Sequence, residues 1–252
     1  MKFKYATLTD IGNYRKANQD FLDFFVNKNG EAFGIVCDGM GGHAFGEIAS
    51  KLAVEKFVEL FKKQNFFDMN QKEINRWLRN CINEILNEMI EYSNDRFETK
   101  DMGTTLTAIL FTKIGGFVIN IGDSRTYKLV NNSLFQITQD QNLWNSTPEA
   151  ERKDIQMSSL YEKANELTFW KVLTSALGPQ KTLRVDTYFI EKQEGIYMLT
   201  TDGVHDYIDQ DITVATLSNK KIKLKEKANL IVEDAKDNIS TDNLSILIIE
   251  AE

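Results

Sequence analysis

The 252-residue chain carries only two cysteines, two prolines and two histidines. Cys37 and Cys81 lack CxxC spacing and sit in apolar runs, which excludes a disulfide-stapled scaffold and reads as two buried thiols of a reducing compartment. So few histidines and cysteines nearly exclude a zinc site, which draws its ligands from those side chains. With 14 glycines and two prolines, collagen-like and Pro/Gly-rich disordered readings fail as well. No apolar run approaches the roughly 20 residues of a membrane span, and the opening Met1-Lys2-Phe3-Lys4-Tyr5 lacks the apolar core of a signal peptide. The expectation is a cytoplasmic protein with no membrane partner. Cations are in the minority, 30 Lys and Arg against 37 Asp and Glu, for a net charge of −7. No Lys/Arg-rich block longer than a few residues stands out, so the clustered basic face of a nucleic-acid binder is not expected.

What is present is ordinary globular composition, 42% hydrophobic and 27% charged, in a chain long enough to bury a core without staples. Strand patterns run over Lys2–Leu8 and Phe21–Val26, then through the turn Asn27-Lys28-Asn29-Gly30 into Ala32–Cys37. Two long amphipathic helices follow, one with Ile48, Leu52, Phe57 and Phe61 on its apolar face, the other with Ile74, Leu78, Cys81, Ile85 and Met89. Strands return at Leu106–Phe111, Phe117–Ile121, Arg125–Val130, Leu134–Thr138, Val185–Ile190 and Ile196–Thr200. Lys225–Asp237 reads as a helix and Leu244–Ile249 as a central buried strand. Residues 140–170 are polar and irregular apart from a weak helical pattern at Glu149–Ile155, and long irregular stretches inside a compact domain are usually functional. Elements that do not alternate βαβα predict antiparallel sheets covered by segregated helices.

The carboxylates fall where strands stop. Asp38 follows Gly34-Ile35-Val36-Cys37, Asp123 follows Val118–Gly122, Asp202 follows Met198–Thr201, and Asp242 precedes the run that starts at Leu244. A charge at the edge of a buried run is unfavourable unless paired or metal-bound. Asp38-Gly39 and Asp202-Gly203 repeat one step, in which the glycine carbonyl is open to a ligand. Carboxylates with a backbone carbonyl suit Mg2+ or Mn2+. Taken singly, each aspartate also fits a turn, and Asp123 could pair with Arg125. Asp38-Gly39-Met40-Gly41-Gly42-His43 has neither GxGxxG spacing nor the Lys-Ser/Thr of a P-loop, which speaks against a nucleotide loop.

Gly12-Asn13-Tyr14-Arg15-Lys16-Ala17-Asn18-Gln19-Asp20 has the form G-x-x-R-x-x-N-x-D. It is followed by Asp38–His43 with Gly46-Glu47-Ile48-Ala49-Ser50, then Gly103-Thr104-Thr105, Gly122-Asp123-Ser124-Arg125, Thr201-Asp202-Gly203 and Thr241-Asp242-Asn243. In this order, over about residues 5 to 250, they resemble the motifs of the metal-dependent (PPM, type 2C) serine/threonine protein phosphatases of bacterial type. The resemblance implies an α+β fold, a central antiparallel β-sandwich flanked by helix pairs in four αββα layers. It implies a single domain over residues 1–252 with a variable flap at about 140–170, closed by Val172–Gly178. On this resemblance Asp38 bridges two Mn2+ or Mg2+ ions, the Gly39 carbonyl binds one of them, and Asp202 and Asp242 ligate the other. Asp20 holds a water on these ions, Asp123 joins Asp202 at a third, weaker one, and Arg15 grips the substrate phosphate.

The activity implied is hydrolysis of phosphoserine and phosphothreonine in proteins by a metal-activated water, in a monomer that opposes a cognate serine/threonine kinase. That chemistry has one of the largest uncatalysed barriers known, and no Cys-x5-Arg loop offers a phosphocysteine route. Two other readings share the fold. A phosphoprotein-binding module without turnover would be expected to lack one of Asp38, Asp202 or Asp242, and all are present. A partner-switching phosphatase of a stress or sporulation pathway is disfavoured by Arg15 and Gly103-Thr104-Thr105. The chain departs from the family at Met40, where some members carry a histidine acid, so no leaving-group acid is assigned and His43 is expected to be structural. It departs again at Asp140-Gln141-Asn142, where the flap usually begins Asp-His-Ser.

Overall fold

Residues Phe3–Asp10 (β1), Asp20–Val26 (β2) and Ala32–Met40 (β3) are the first strands of the computed structural model, which describes residues 1–40, 45–157 and 166–252. The helices α1 (Phe45–Lys63) and α2 (Gln71–Asn94) follow. The chain then returns to strands: β4 (Gly103–Thr104), β5 (Leu106–Thr112), β6 (Gly115–Ile121), β7 (Arg125–Val130) and β8 (Ser133–Gln136). Among the described residues of the expected flap there are three short helical pieces, α3 (Leu143–Ser146), α4 (Glu149–Gln156) and α5 (Glu166–Phe169). β9 (Asp186–Ile190) and β10 (Gly195–Thr200) lead to α6 (Asp202–His205), α7 (Gln210–Ser218), α8 (Leu224–Asp237) and β11 (Leu244–Ala251).

Two antiparallel sheets form, one ordered β1-β11-β10-β7-β8, the other β2-β3-β5-β6-β9 with β4 paired to the end of β3. Alternation along each strand decides the layers. On β3, Phe33, Ile35 and Cys37 pack with Ala49, Phe57 and Phe61 of α1 and Ile74, Leu78 and Ile85 of α2. Ala32 and Val36 point the other way and meet Tyr197, Leu199, Leu247 and Ile249 of the second sheet. On that sheet's outer face, Met198, Ile246 and Ile248 pack against Ala228, Ile231, Val232 and Ala235 of α8. The result is the expected αββα stack, with Cys37 and Cys81 as buried free thiols. Helix α2 starts where a capping box sets it: Asn70 accepts from the Lys72 and Glu73 amides and Glu73 reaches back to the Asn70 amide.

Several boundaries differ from the sequence reading. β3 runs on to Met40 and β2 begins at Asp20, so Asp38 lies within β3 and Asp20 opens β2, while Asp123 and Asp202 follow their strands as expected. The strand expected at Leu134–Thr138 is Ser133–Gln136, because Asn131 and Asn132 both take positive φ and close a two-residue turn. Helix α7 was not expected. Its β-branched composition hides it, and its signal is Asp209, whose Oδ1 accepts from the Asp211 and Ile212 amides as an N-cap. Among the described residues no helix is long and apolar enough to cross a membrane.

Candidate active site

The ladder between β2 and β3 sets Asp20 directly opposite Asp38. Leu22 and Phe24 on β2, and Ala32 and Val36 on β3, belong to the inter-sheet core. By the same parity both aspartates project into that layer at its end. Like charges directly opposite on one face of a ladder repel, so this register is unfavourable unless a cation or protons intervene. From the other sheet, alternation past Leu199 and Leu247 brings Thr201 and Ser245 to the same place, and the Thr201 hydroxyl donates to Asp20 Oδ2 at 2.9 Å.

Burial and mutual repulsion dominate the electrostatics. Asp20 is only 5% exposed. Burial pushes its carboxyl up to about 7, against the lowering contributed by Ser245 and Thr201, and the charges of Asp202 and Asp242 add to the rise. Asp38 is held well above the usual carboxylate range by burial and then by Asp20, Asp202, Asp123 and Asp242. Asp202 is pushed up to about 6 by burial and by Asp242 and Asp206. Burial, with Asp202, Asp140 and Asp206, raises Asp123 well above its ordinary value.

The backbone around Asp38 is clamped. Its amide donates to Thr105 Oγ1 at 2.9 Å, and its carbonyl accepts from Thr104 Oγ1 and from the Thr105 amide, each at 2.8 Å. Thr105 Oγ1 in turn meets Ser124 Oγ at 2.6 Å, which ties the clamp to the turn carrying Asp123. This is the physical work of the Gly103-Thr104-Thr105 and Gly122–Arg125 motifs. Gly39 is required by close approach: a Cβ there would lie 2.1 Å from Gly46 O and 2.5 Å from Gln19 O. Gly203 serves the same purpose against Asn243, whose carbonyl oxygen would be 2.0 Å from an added Cβ.

Asn243 is a positioning residue that the sequence reading quoted but gave no role. Its Oδ1 accepts from the Gln19 amide at 2.9 Å, and its Nδ2 donates to Ile11 O at 2.9 Å and Ala17 O at 3.0 Å. It therefore staples the segment carrying Arg15 onto the Asp242 turn. Arg15 Nη2 then reaches Asp242 Oδ2 at 2.6 Å.

Arg15, Asp38, Gly39, Asp123, Asp202 and Asp242 all line one cleft of about 350 Å³. Asp20 is absent from this lining and lies behind it, bonded to Thr201. A second cation that sequence reasoning missed, Lys171, also lines the cleft and pairs with Asp206 at 2.7 Å. Nothing in its local pattern distinguished it from other lysines of a polar stretch. The alternative in which Asp123 pairs with Arg125 is corrected: Arg125 forks onto Asp140, with Nε–Oδ1 2.8 Å and Nη2–Oδ2 2.6 Å. The divergent flap opening is an anchor. Gln141 accepts from the Gly122 amide at 2.8 Å and donates to Asp186 at 2.9 Å, while Asn142 caps α3. Gly41, Gly42 and His43, and the flap from 158 to 165, lie outside the described residues.

The donor set fits hard divalent cations. Asp202 Oδ1 is buried and accepts no hydrogen bond among the described residues. The Asp38 carboxyl is within hydrogen-bonding reach of Asp202; with a cation bound and both groups ionised, neither would have a proton to share. No three acidic, histidine or cysteine side chains among the described residues close into a ready-made cage. The acids line an open cleft instead, which leaves coordination places for water, the usual condition of Mg2+.

A sequence model of the family described as protein phosphatase 2C matches residues 14–221. The chain is 32% identical over 246 residues to the serine/threonine phosphatase stp of Listeria welshimeri, covering 96% of this chain and 93% of that one. The crystal structure of the serine/threonine phosphatase Stp1 from Staphylococcus aureus superposes with a TM-score of 0.83 at 26% identity, covering 100% of this chain and 96% of that one. The catalytic domain of the serine/threonine protein phosphatase PstP, solved in complex with two manganese ions, shares the fold with a TM-score of 0.77 at 24% identity, over 98% and 97% of the two chains.

Proposed function

The chain belongs to the protein phosphatase 2C family, and on that premise we propose that the cleft hydrolyses phosphoserine and phosphothreonine in proteins with the help of Mn2+ or Mg2+. The observation that carries the site assignment is the cluster of desolvated carboxylates Asp38, Asp202 and Asp123 around one cleft, with an orphaned oxygen on Asp202. Asp38 with the Gly39 carbonyl, and Asp202 with Asp242, are the groups that would hold two ions; Asp123 with Asp202 would hold a third. When bound, such ions supply Lewis acidity, lowering the pKa of water and neutralising phosphoryl charge.

The remaining work falls to the chain's own residues. Asp20, buried behind the cleft and fixed by Thr201, orients water from the rear of the site. Arg15 stands at the rim, its guanidinium already directed by Asp242, and offers planar donors to a phosphate dianion. Thr104, Thr105 and Ser124 keep the Asp38 backbone from shifting as charge builds up. Met40 lines the cleft at the position where some members carry a histidine acid. The complete acidic set supports turnover rather than phosphoprotein sensing. The physiological counterpart is a serine/threonine kinase whose phosphoproteins serve as substrates.

The test is hydrolysis of p-nitrophenyl phosphate by the purified protein. Activity should need added Mn2+ or Mg2+, vanish in EDTA, and be nearly abolished in Asp38→Asn. An Asp38→Asn protein retaining more than about a tenth of wild-type kcat, a barrier change under ~1.4 kcal/mol, would show that the site is misplaced.

A further inference from the structure

At the far end of the β1-β11-β10 sheet, a pocket of about 780 Å³ is lined by six lysines: Lys4, Lys220, Lys221, Lys223, Lys225 and Lys227. Only two acidic residues, Glu250 and Glu252, share this lining, and Lys4 already pairs with both, at 3.6 Å and 2.6 Å. Among the described residues Lys220, Lys221, Lys223 and Lys225 are exposed and form no ion pair. Such a concentration is unexpected on a chain of net charge −7. In the sequence, apolar Ile222 and Leu224 alternate with these lysines, and Lys4 joins them only through the fold.

Helix α8 breaks two local rules at this pocket. Its N-cap is Lys223, which provides no side-chain acceptor for the first amides. Lys225 and Lys227 then follow in the first turn, where the helix dipole disfavours positive charge and only Glu226 opposes it. Lys227 is 4% exposed, with its ammonium donating to Leu217 O. An anion seated here would meet the open amides and the lysines together. A local rule broken at a concave, charged site marks function. The pocket is concave and partly apolar, with Leu129, Ile196 and Leu217 in its wall, which suits a peptide segment better than a flat membrane surface.

We propose that this pocket docks an acidic segment of the phosphoprotein substrate, remote from the phosphorylated side chain. As a substrate-docking site it rests on the phosphatase reading. Along β11, the pocket at Glu250 lies six residues from the cleft end at Leu244, or roughly 20 Å. An extended chain spans that in about six residues, and a path over the surface needs about ten.

The experiment uses the full chain loaded with Mn2+. One phosphothreonine peptide carries a run of Asp and Glu ten residues from the phosphate, and a second has that run replaced by Gly and Ser. The wild-type KM should be about tenfold lower for the acidic peptide at low salt with kcat alike, short of the full gain from tethering because exposed charges are screened. The triple substitution Lys220→Gln, Lys221→Gln, Lys223→Gln should bring the two KM values within about twofold and leave p-nitrophenyl phosphate hydrolysis unchanged, while Lys-to-Arg changes at the same positions keep the preference. Equal KM values in the wild type, or a preference that survives the triple substitution, overturn the proposal. In parallel, an unphosphorylated Asp/Glu peptide is titrated by fluorescence anisotropy in EDTA. Binding that the triple substitution removes supports the docking site even if catalysis fails, so the two readings are separable. Binding of anionic vesicles or single-stranded nucleic acid at these lysines, with none of the acidic peptide, overturns the peptide assignment.

Discussion

Replacing Gly39 by alanine tests whether the approach of two backbones builds the site. The residue has no positive φ, so alanine is conformationally acceptable and the effect is steric. Its Cβ would lie 2.1 Å from Gly46 O and 2.5 Å from Gln19 O, whereas carbon and oxygen rarely approach closer than about 3.3 Å. Both oxygens belong to the main chain, one in the first turn of α1 and one just before β2, so no flexible side chain can yield. Overpacking of this kind costs about 1–3 kcal/mol. Loss of the hydrogen bond from the Gly39 amide to Gln19 O, now 3.1 Å, adds about 1 kcal/mol. The expected penalty is therefore about 2–4 kcal/mol. Gly30→Ala is the control: nothing lies within 4 Å of its added Cβ, but its φ is +79°, so the cost is conformational, about 1–2 kcal/mol. Both are measured by urea denaturation in EDTA, comparing midpoints at constant m. If Gly39→Ala costs no more than Gly30→Ala, the claim that this contact fixes the Asp38-Gly39 backbone is refuted.

Arg15→Ala should lower kcat/KM on a phosphothreonine peptide about 10- to 100-fold, the equivalent of one charged hydrogen bond of roughly 1.5–3 kcal/mol. Its exposed pair with Asp242 should contribute under about 1 kcal/mol to stability, so unchanged kinetics in a folded protein would remove it from phosphate binding. Asp123→Ala should keep the tight metal sites in a calorimetric titration and lower kcat on a phosphopeptide. Since Arg125 is held by Asp140, a melting drop with intact activity per folded molecule would mean that Asp123 is structural after all. Ile239 holds φ +63° one residue past the α8 cap while 63% exposed. Ile239→Gly should relieve that strain and stabilise by about 0.5–1 kcal/mol, net of the extra freedom of glycine in the unfolded chain. The measure is a melting temperature higher by about 1–4 °C, and a lower one would contradict the strain.

Local chemistry made much of this protein readable from its residues in order. Period-3.6 patterns located α1 and α2 because each helix buries one face, and continuous apolar runs located β3 and β11 because both faces of each strand are covered. The aspartates stood out for the same reason, since a charge at the end of an apolar run contradicts its surroundings. Tertiary structure alone decided which charges meet. Asp20 faces Asp38 only through the β2–β3 register, and Arg125 chooses Asp140 over the neighbouring Asp123 because the return of the chain after β8 brings that carboxylate alongside. Asn243 joins residues 11–19 to a turn more than 220 positions away. Lys4 meets Lys220–Lys227 only because β1 and β11 pair end to end. Hydrophobic burial acts on every residue of a segment and leaves a periodic trace, whereas an ion pair or a single hydrogen bond acts between two atoms and leaves no trace until the chain has closed around them.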